Sequence, residues 1–396
     1  MKTLLFLILL AVLSCEANSV TASDGQNAPV SIGAGVDPSL ANEARAAISR
    51  GVKWLLAKQS EGGYWSNEDF PALTALPLWA LVKSGSAPED SIDKAVAYIQ
   101  GAVNDDGSIC RVPKETIKGG GLCNYNTALC MVALHATGRP ELIPAIQKAR
   151  SYVAGSQHFG DDLYRGGMGY DPSTGRPYAD LSNSYLAYEA MRLTESVEDL
   201  RAAGDARADL DWEAAQQFVQ RVQNLPGHND QAWASDAPEE KGGFAYRPDA
   251  SMAGSVTNED GTVRFRSYGS MTYAGLLSFI YAEVDRDDPR VASAFDWSRN
   301  HWTVAENPGM GKQGLYYFYN VLSKALAAYG QDVIEKADGT KVNWRDELIR
   351  TLVGLQKTEA ETGHGFWVND EGRWWESDPV LVTSYSLLAL EIALGE

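Results

Sequence analysis

Positive charge is scarce in this sequence, and so are the short motifs that mark common chemistries. Against 52 Asp+Glu stand only 34 Lys+Arg, a net charge of −18, and no run of Lys or Arg occurs. A nucleic-acid groove needs clustered cations to displace phosphate counterions, so that class of function is excluded. Cysteine is sparse as well, four in 396 residues, and no C-x-x-C marks a zinc ribbon or a thioredoxin-like redox pair. A phosphate loop of the type G-x-x-x-x-G-K-[ST] is missing, because Gly311-Lys312 is followed by Gln313. H-E-x-x-H and G-x-S-x-G are missing too. Beyond the N-terminus no apolar run approaches the ~20 residues of a membrane-spanning helix. Low-complexity tracts are lacking, and 44% hydrophobic residues describe a globular chain with a large core.

The N-terminal segment has a meaning of its own. Met1-Lys2-Thr3 precedes the apolar stretch Leu4 to Leu13, and Ser14-Cys15 follows. One cation, an apolar run of about ten residues and small residues afterwards predict a secretory signal, hence export. Val12-Leu13-Ser14-Cys15 also resembles the lipobox of bacterial lipoproteins, in which the Cys receives a lipid. Ordinary cleavage near Ala17 or Ala22 is the competing reading. The chain thus divides into residues 1–15 as signal peptide, 16–38 as a polar tether and 39–396 as the folded body. Its destination is the periplasm, the cell envelope or the medium, and a lipid on Cys15 is the membrane contact expected. Cys110 and Cys123 lie 13 residues apart and could close a disulfide in an exported protein. Cys123 and Cys130 would stand two helical turns apart, roughly 10 Å, too far to bridge. A Cys110–Cys123 disulfide and separate buried thiols both remain open.

Gly, Tyr and Trp are abundant, and their positions are periodic. The body reads as alternating helices, with apolar residues at helical spacing in Leu40, Ala44, Ile48, Val52 and Leu55. Six units repeat one pattern: an amphipathic outer helix, a Gly/aromatic turn, then a more apolar inner helix. The turns are Gly62-Gly63-Tyr64-Trp65, Asp106-Gly107-Ser108, Gly166-Gly167-Met168, Gly242-Gly243-Phe244, Gly314-Leu315-Tyr316 and Gly365-Phe366-Trp367. The inner helices follow near 71–84, 124–137, 180–195, 269–283, 316–329 and 379–394. Near the start of each stands a hydroxyl residue: Thr74, Thr127, Ser184, Thr272 and Ser384, with Tyr319 in the fifth. Six hairpins with apolar inner helices bury those faces by closing into a ring.

Here the residues resemble a known superfamily. Gln59-Ser60-Glu61-Gly62-Gly63-Tyr64-Trp65 fits the Q-x₃-G-x-W repeat of squalene–hopene and other triterpene cyclases, and Gln356 with Gly365-Phe366-Trp367 is a looser copy. Gly242-Gly243-Phe244 with Met271-Thr272-Tyr273-Ala274 is similar to the repeat of protein prenyltransferase β subunits. The resemblance runs over roughly residues 39–395 and implies an all-α (α/α)₆ toroid of six helical hairpins around a central cavity. It does not bring the family's chemistry with it. Triterpene cyclases of this group protonate an alkene with a D-x-D-D motif, and Asp285-Arg286-Asp287-Asp288 matches literally. Its context is wrong: Asp288-Pro289 reads as an N-cap and first-turn proline of an outer helix, at the far rim. Prenyltransferases hold zinc through Asp-x-Cys, but Ser108, Gly121 and Ala128 stand two before the three body cysteines. The G-C-G-E-Q sequence of complement-like thioester toroids is missing as well. No metal and no cofactor is expected.

What remains is the rim at which inner helices begin. Its long loops, 158–179, 225–268 and 305–314, carry Tyr164, Tyr170, Trp233, Tyr246 and Tyr268 amid polar residues. The candidate ligand-binding residues are Trp65, Tyr125, Tyr170, Tyr185, Tyr246, Tyr273, Tyr316 and Trp367. Asp180 and Asp378, at the start of the third and sixth inner helices, are the candidate catalytic acids, although an N-cap role also explains each. His158, His228 and His364 fall in loops of the same rim, dispersed by default. The leading expectation is an exported toroid that binds an isoprenoid, lipid or saccharide in its cavity or at its aromatic rim. It lacks the diagnostic cyclase and prenyltransferase sites. The alternatives are an enzyme using rim carboxylates, on an isoprenoid or a polysaccharide, and a structural cell-envelope interaction protein.

Overall fold

A computed structural model describes residues 35–111, 121–171 and 179–396. The signal segment, Cys15 and most of the tether fall outside these residues. Twelve α-helices alternate as the repeat predicts: α1 Pro38–Lys58, α2 Ala72–Ser84, α3 Glu89–Gln100, α4 Cys123–Ala136, α5 Ile143–Gly155, α6 Leu181–Leu193, α7 Trp212–Arg221, α8 Gly269–Tyr281, α9 Pro289–Asn300, α10 Leu315–Tyr329, α11 Trp344–Leu355 and α12 Pro379–Leu394. Burial separates the two sets. The inner helix α12 buries 13 of its 16 residues, whereas the outer helix α9 buries 5 of 12. Each even-numbered helix packs on the next, and α12 packs back on α2, so the inner layer closes. The odd-numbered helices lie outside that layer. The fold is an all-α (α/α)₆ toroid.

The recurrent turn residues are explained by what they touch. Gln59, after α1, donates its side-chain amide to the Gly63 carbonyl at 3.1 Å and to the Ser91 carbonyl of α3 at 2.9 Å. Gln157 does the same to Gly166 and Asp211, and Gln223 to Gly242 and Arg290. One glutamine therefore ties its own turn to the next outer helix. Gln356 completes the circle by donating to Ala47 of α1 at 2.8 Å, while Arg50 donates back to it at 2.8 Å.

The glycine that follows has no alternative. Gly63, Gly107, Gly166 and Gly242 have φ between +84° and +91°, a region that side chains avoid. A Cβ on them would lie 2.3, 2.4, 1.9 and 2.0 Å from the carbonyl oxygens of Lys94, Lys148, Ala214 and Ser293. Those carbonyls belong to α3, α5, α7 and α9, so the glycine is the point where one hairpin seats on the next.

The hydroxyls of the inner helices accept from the turn. Thr74, Thr127, Ser184 and Thr272 accept the backbone N–H of Trp65, Ile109, Met168 and Phe244 at 3.3, 2.8, 2.9 and 3.2 Å. In the sixth hairpin the acceptor is Thr383, at 3.0 Å from the Trp367 nitrogen, and not Ser384. Ser384 is one helical position away and turns back to the Val380 carbonyl at 2.8 Å. In the fifth, the Tyr319 hydroxyl donates instead to the Val304 carbonyl at 2.6 Å.

Other expectations resolve directly. Cys110 and Cys123 form a disulfide, leaving Cys130 as a buried thiol. Asp288 caps α9 through the Arg290 N–H at 2.9 Å and pairs with the Arg290 guanidinium at 2.9 Å, at the rim where outer helices begin. Three small antiparallel hairpins, such as Ser255–Thr257 with Val263–Phe265, interrupt loops in which the helical pattern predicts no strands. Their strands are two or three residues long, too short for alternation to register. Among the described residues no helix is long and apolar enough to cross a membrane.

Candidate functional site

A closed ring of helices leaves space on its axis unless side chains fill it. Where the N-termini of the inner helices gather, a cavity of about 310 Å³ remains open to the rim. Its wall carries six tyrosines, Tyr125, Tyr170, Tyr246, Tyr268, Tyr317 and Tyr385. Phe70, Leu73, Leu122, Met252, Met271, Leu381, Trp374 and Trp375 supply the apolar surface, and Asn126, Ser182, Ser270 and Glu376 the remaining polar groups. No Lys or Arg is on the wall among the described residues. The phenols reach across the axis: Ser182 and Tyr317 hydroxyls are 2.9 Å apart, and those of Tyr125 and Tyr385 3.5 Å. Burial pushes the phenol pKa values of Tyr125, Tyr317 and Tyr385 up, so these groups stay neutral donors.

Three of the eight aromatic candidates, Tyr125, Tyr170 and Tyr246, stand on this wall; the other five do not. Trp65 and Trp367 are fully buried in their turns, donating their indole N–H to Leu55 and Leu352 carbonyls at 2.7 Å. Tyr273 packs against Phe318, and Tyr316 against Tyr319. Phase decides this, since one residue is a turn of about 100° on a helix. Tyr317 faces the axis, and its neighbour Tyr316 cannot. Tyr185 lies below the cavity. Tyr317, Trp374, Trp375 and Glu376 also line the cavity and lie outside the expected ligand residues. Tyr317 carries a signal: it stands two residues before Tyr319, as the wall residues Ser182 and Ser270 stand two before Ser184 and Thr272.

The two candidate acids are not brought together. They sit on α6 and α12, on opposite sides of the ring. Asp378 is half-buried, caps α12 through the Val380 N–H at 2.9 Å and accepts the Ser66 hydroxyl. Asp180 is fully buried. It caps α6, accepting the Asn183 N–H at 2.8 Å and the Asn183 amide at 2.7 Å, and it hydrogen-bonds the phenol of Tyr246. Burial pushes its pKa up to about 6, although these bonds pull the other way. A third acid, Glu376, does line the cavity. Burial raises it too, while the Tyr317 N–H at 2.8 Å and the Asn369 amide at 2.6 Å restrain the rise. The histidines stay apart from this site: His158 pairs with Asp162 at 2.8 Å, and His301 stacks on Trp297. Among the described residues no three His, Cys, Asp or Glu converge as metal ligands would.

Asp180 makes stability depend on pH in a stated direction. Its folded pKa of about 6 exceeds its ordinary value of 3.8, so the native chain keeps a proton that the unfolded chain releases between them. The contribution is therefore most favourable below pH ~4 and falls as pH rises through about 6. Urea unfolding of native protein and Asp180→Asn at pH 4.5 and 7.5 reads this. The stability gap between the two proteins shifts toward the variant at pH 7.5; a gap independent of pH would contradict the assignment.

The mouth of the cavity is aromatic and strained. Trp374 and Trp375 have φ of 56° and 68°, at a cost of about 1–3 kcal/mol for each bulky residue in this region. They are 43% and 46% exposed. Phe70 meets Trp375 edge-on at 5.1 Å. Gly314 lies beneath Trp374, where a Cβ would come within 3.1 Å of the indole.

Below the cavity the axis is closed by a buried ion pair. Lys324 of α10 meets Glu189 of α6 at 2.9 Å, skipping the intervening helix α8. Glu189 also accepts the Tyr281 hydroxyl of α8 at 3.1 Å. The ammonium lies 3.3 Å from the Tyr185 hydroxyl and 4.4 Å above the ring of Trp79 on α2. Four of the six inner helices meet in this plug, with Tyr185 between it and the cavity phenols.

Together these features define a class: an α/α toroid, plugged at one end, with a tyrosine-lined cavity open at the other. No family model matches the sequence, and no curated protein does. Solved structures are similar at 11% identity. They include the type II terpene cyclase MstE from Scytonema in complex with its product merosterolic acid A, over 90% of this chain and 99% of that one, TM-score 0.49. The same cyclase with geranylgeranyl dihydroxybenzoate gives 0.46 over the same shares. The GH76 α-mannanase BT2949 from Bacteroides thetaiotaomicron, also 11% identical, gives 0.47 over 89% and 98%.

Proposed function

We propose that this toroid binds an apolar molecule, of isoprenoid or other lipid class, in its central cavity. The cavity itself carries the reading. It is of small-ligand size, its wall is largely aromatic and aliphatic, and four of its eight hydroxyls pair with one another, Ser182 with Tyr317 and Tyr125 with Tyr385. A saccharide would leave most of its hydroxyls unpaired against Leu73, Met271 and Leu381, which disfavours it. Export through the N-terminal segment, with or without a lipid on Cys15, belongs to the same proposal and would place the toroid in the envelope.

Two measurements test it. Native mass spectrometry with lipid extraction, on protein from its own envelope, is expected to recover a bound apolar molecule. Leu73→Trp projects an indole into the cavity and is expected to weaken binding of farnesol or dodecanol by about tenfold or more. Empty native protein together with unchanged affinity in the variant would sink the proposal.

A second reading is favoured by one contact. Asp180 is buried and hydrogen-bonds the phenol of Tyr246, a wall residue, and in this reading it orients that hydroxyl toward a guest. Incubating the recovered molecule with the protein separates the readings: it returns unchanged from a binder. If it returns altered, Asp180→Asn is expected to abolish the alteration.

A further inference from the structure

We propose that Arg373 reads a single negative charge on the head of the cavity's guest, so that the ligand is an apolar chain ending in a carboxylate. The inference deepens the cavity-binding reading and rests on it.

The geometry is specific. Arg373 lies on the strained turn at the cavity mouth, its guanidinium 4.2 Å over the ring of Trp374. One guanidinium nitrogen donates to the Gln313 side-chain oxygen at 2.5 Å, beside Gly314 of the wall. Another lies 3.8 Å from the sulfur of Met252, also a wall residue. The cation is therefore held at the entrance by groups that border the cavity, and none of them is charged.

Arg373 is one of seven described arginines without an ion pair to Asp or Glu, and of these it is the one held by groups that border the cavity. Twelve other arginines form ion pairs with Asp or Glu, as expected where acids outnumber bases. Arg373 forms none among the described residues. The nearest acid along the chain on the cavity side, Glu376, spends its oxygens on the Tyr317 N–H and the Asn369 amide. A guanidinium presents a planar fork that matches a carboxylate. With no Lys or Arg on the wall itself and Arg373 alone bordering it, charge balance favours one negative charge over the two of a phosphate monoester. The chain of such an amphiphile enters among the tyrosines, and its head stops at the indoles.

The test is a titration at pH 8, below aggregation concentrations, of dodecanoate, dodecanol and dodecyl phosphate into the full-length protein. Native protein is expected to bind dodecanoate about tenfold more tightly than dodecanol, and no less tightly than dodecyl phosphate. Arg373→Gln is expected to remove the preference while leaving dodecanol affinity and thermal midpoint unchanged; Arg373→Lys keeps part of it. Equal binding of acid and alcohol by native protein would overturn the assignment, as would tighter binding of the phosphate. Loss of both ligands together in Arg373→Gln would overturn it too. Failure of native protein to bind any of the three is a different outcome: it removes the cavity reading itself.

Discussion

Gly166→Ala is expected to lower the stability of the ring by at least about 3–5 kcal/mol. Two costs add. The residue has a φ of +91°, where a Cβ is strained, and that Cβ would sit 1.9 Å from the Ala214 carbonyl oxygen. Neither atom can yield cheaply, because the carbonyl is backbone and the backbone fixes the position of the Cβ. Gly166 also offers its own carbonyl to Gln157 at 2.9 Å and to the Tyr188 hydroxyl at 3.0 Å. Any shift that relieves the clash pulls on those bonds. Gly227→Ala is the control, since nothing lies within 4 Å of its Cβ position. The midpoint of urea unfolding should drop sharply for the first variant and barely move for the second. Similar midpoints would mean that adjacent hairpins do not seat on this glycine.

Breaking the plug has an effect of similar size. Glu189→Ala leaves Lys324, whose side chain is 7% exposed, without its counterion and takes the acceptor from Tyr281. Removing one partner of a buried pair typically costs about 3–5 kcal/mol, chiefly the desolvation of the charge left behind. The double variant Lys324→Met/Glu189→Leu should recover most of that loss, since an apolar replacement carries no stranded charge. A double-mutant cycle on unfolding midpoints reads the coupling directly. Losses that simply add, with no recovery in the double variant, would show that the two side chains do not act as a pair.

The ring was legible because its signals are local. An amphipathic helix, a glycine at positive φ, a large apolar residue and a following hydroxyl-bearing residue recur in each unit within about thirty to sixty residues, and helical period and backbone stereochemistry make that pattern local. Gln59, Gly63, Trp65 and Thr74 stand out in the sequence, and every one makes a repeated backbone contact in the structure. The same regularity misled the choice of ligand residues. Trp65 and Trp367 are conspicuous because the turn needs them, so their role is spent inside the wall. Trp374 and Trp375 belong to no repeat and passed unnoticed.

The sequence by itself determined the alternation of helices, their outer and inner order, the turn between them and the helix-cap character of Asp288. These depend on helical period and backbone stereochemistry, which act over a few residues. Only the tertiary structure decided which tyrosines face the axis, because that phase follows from how six inner helices lean on one another. It also chose the disulfide between the two cysteine readings and buried Asp180 beside Tyr246. It joined Lys324 to Glu189, 135 residues apart, and set Arg373 over Trp374 at the mouth, without an ion pair among the described residues. Contacts across a ring have no fixed spacing along the chain, and a local pattern cannot encode them.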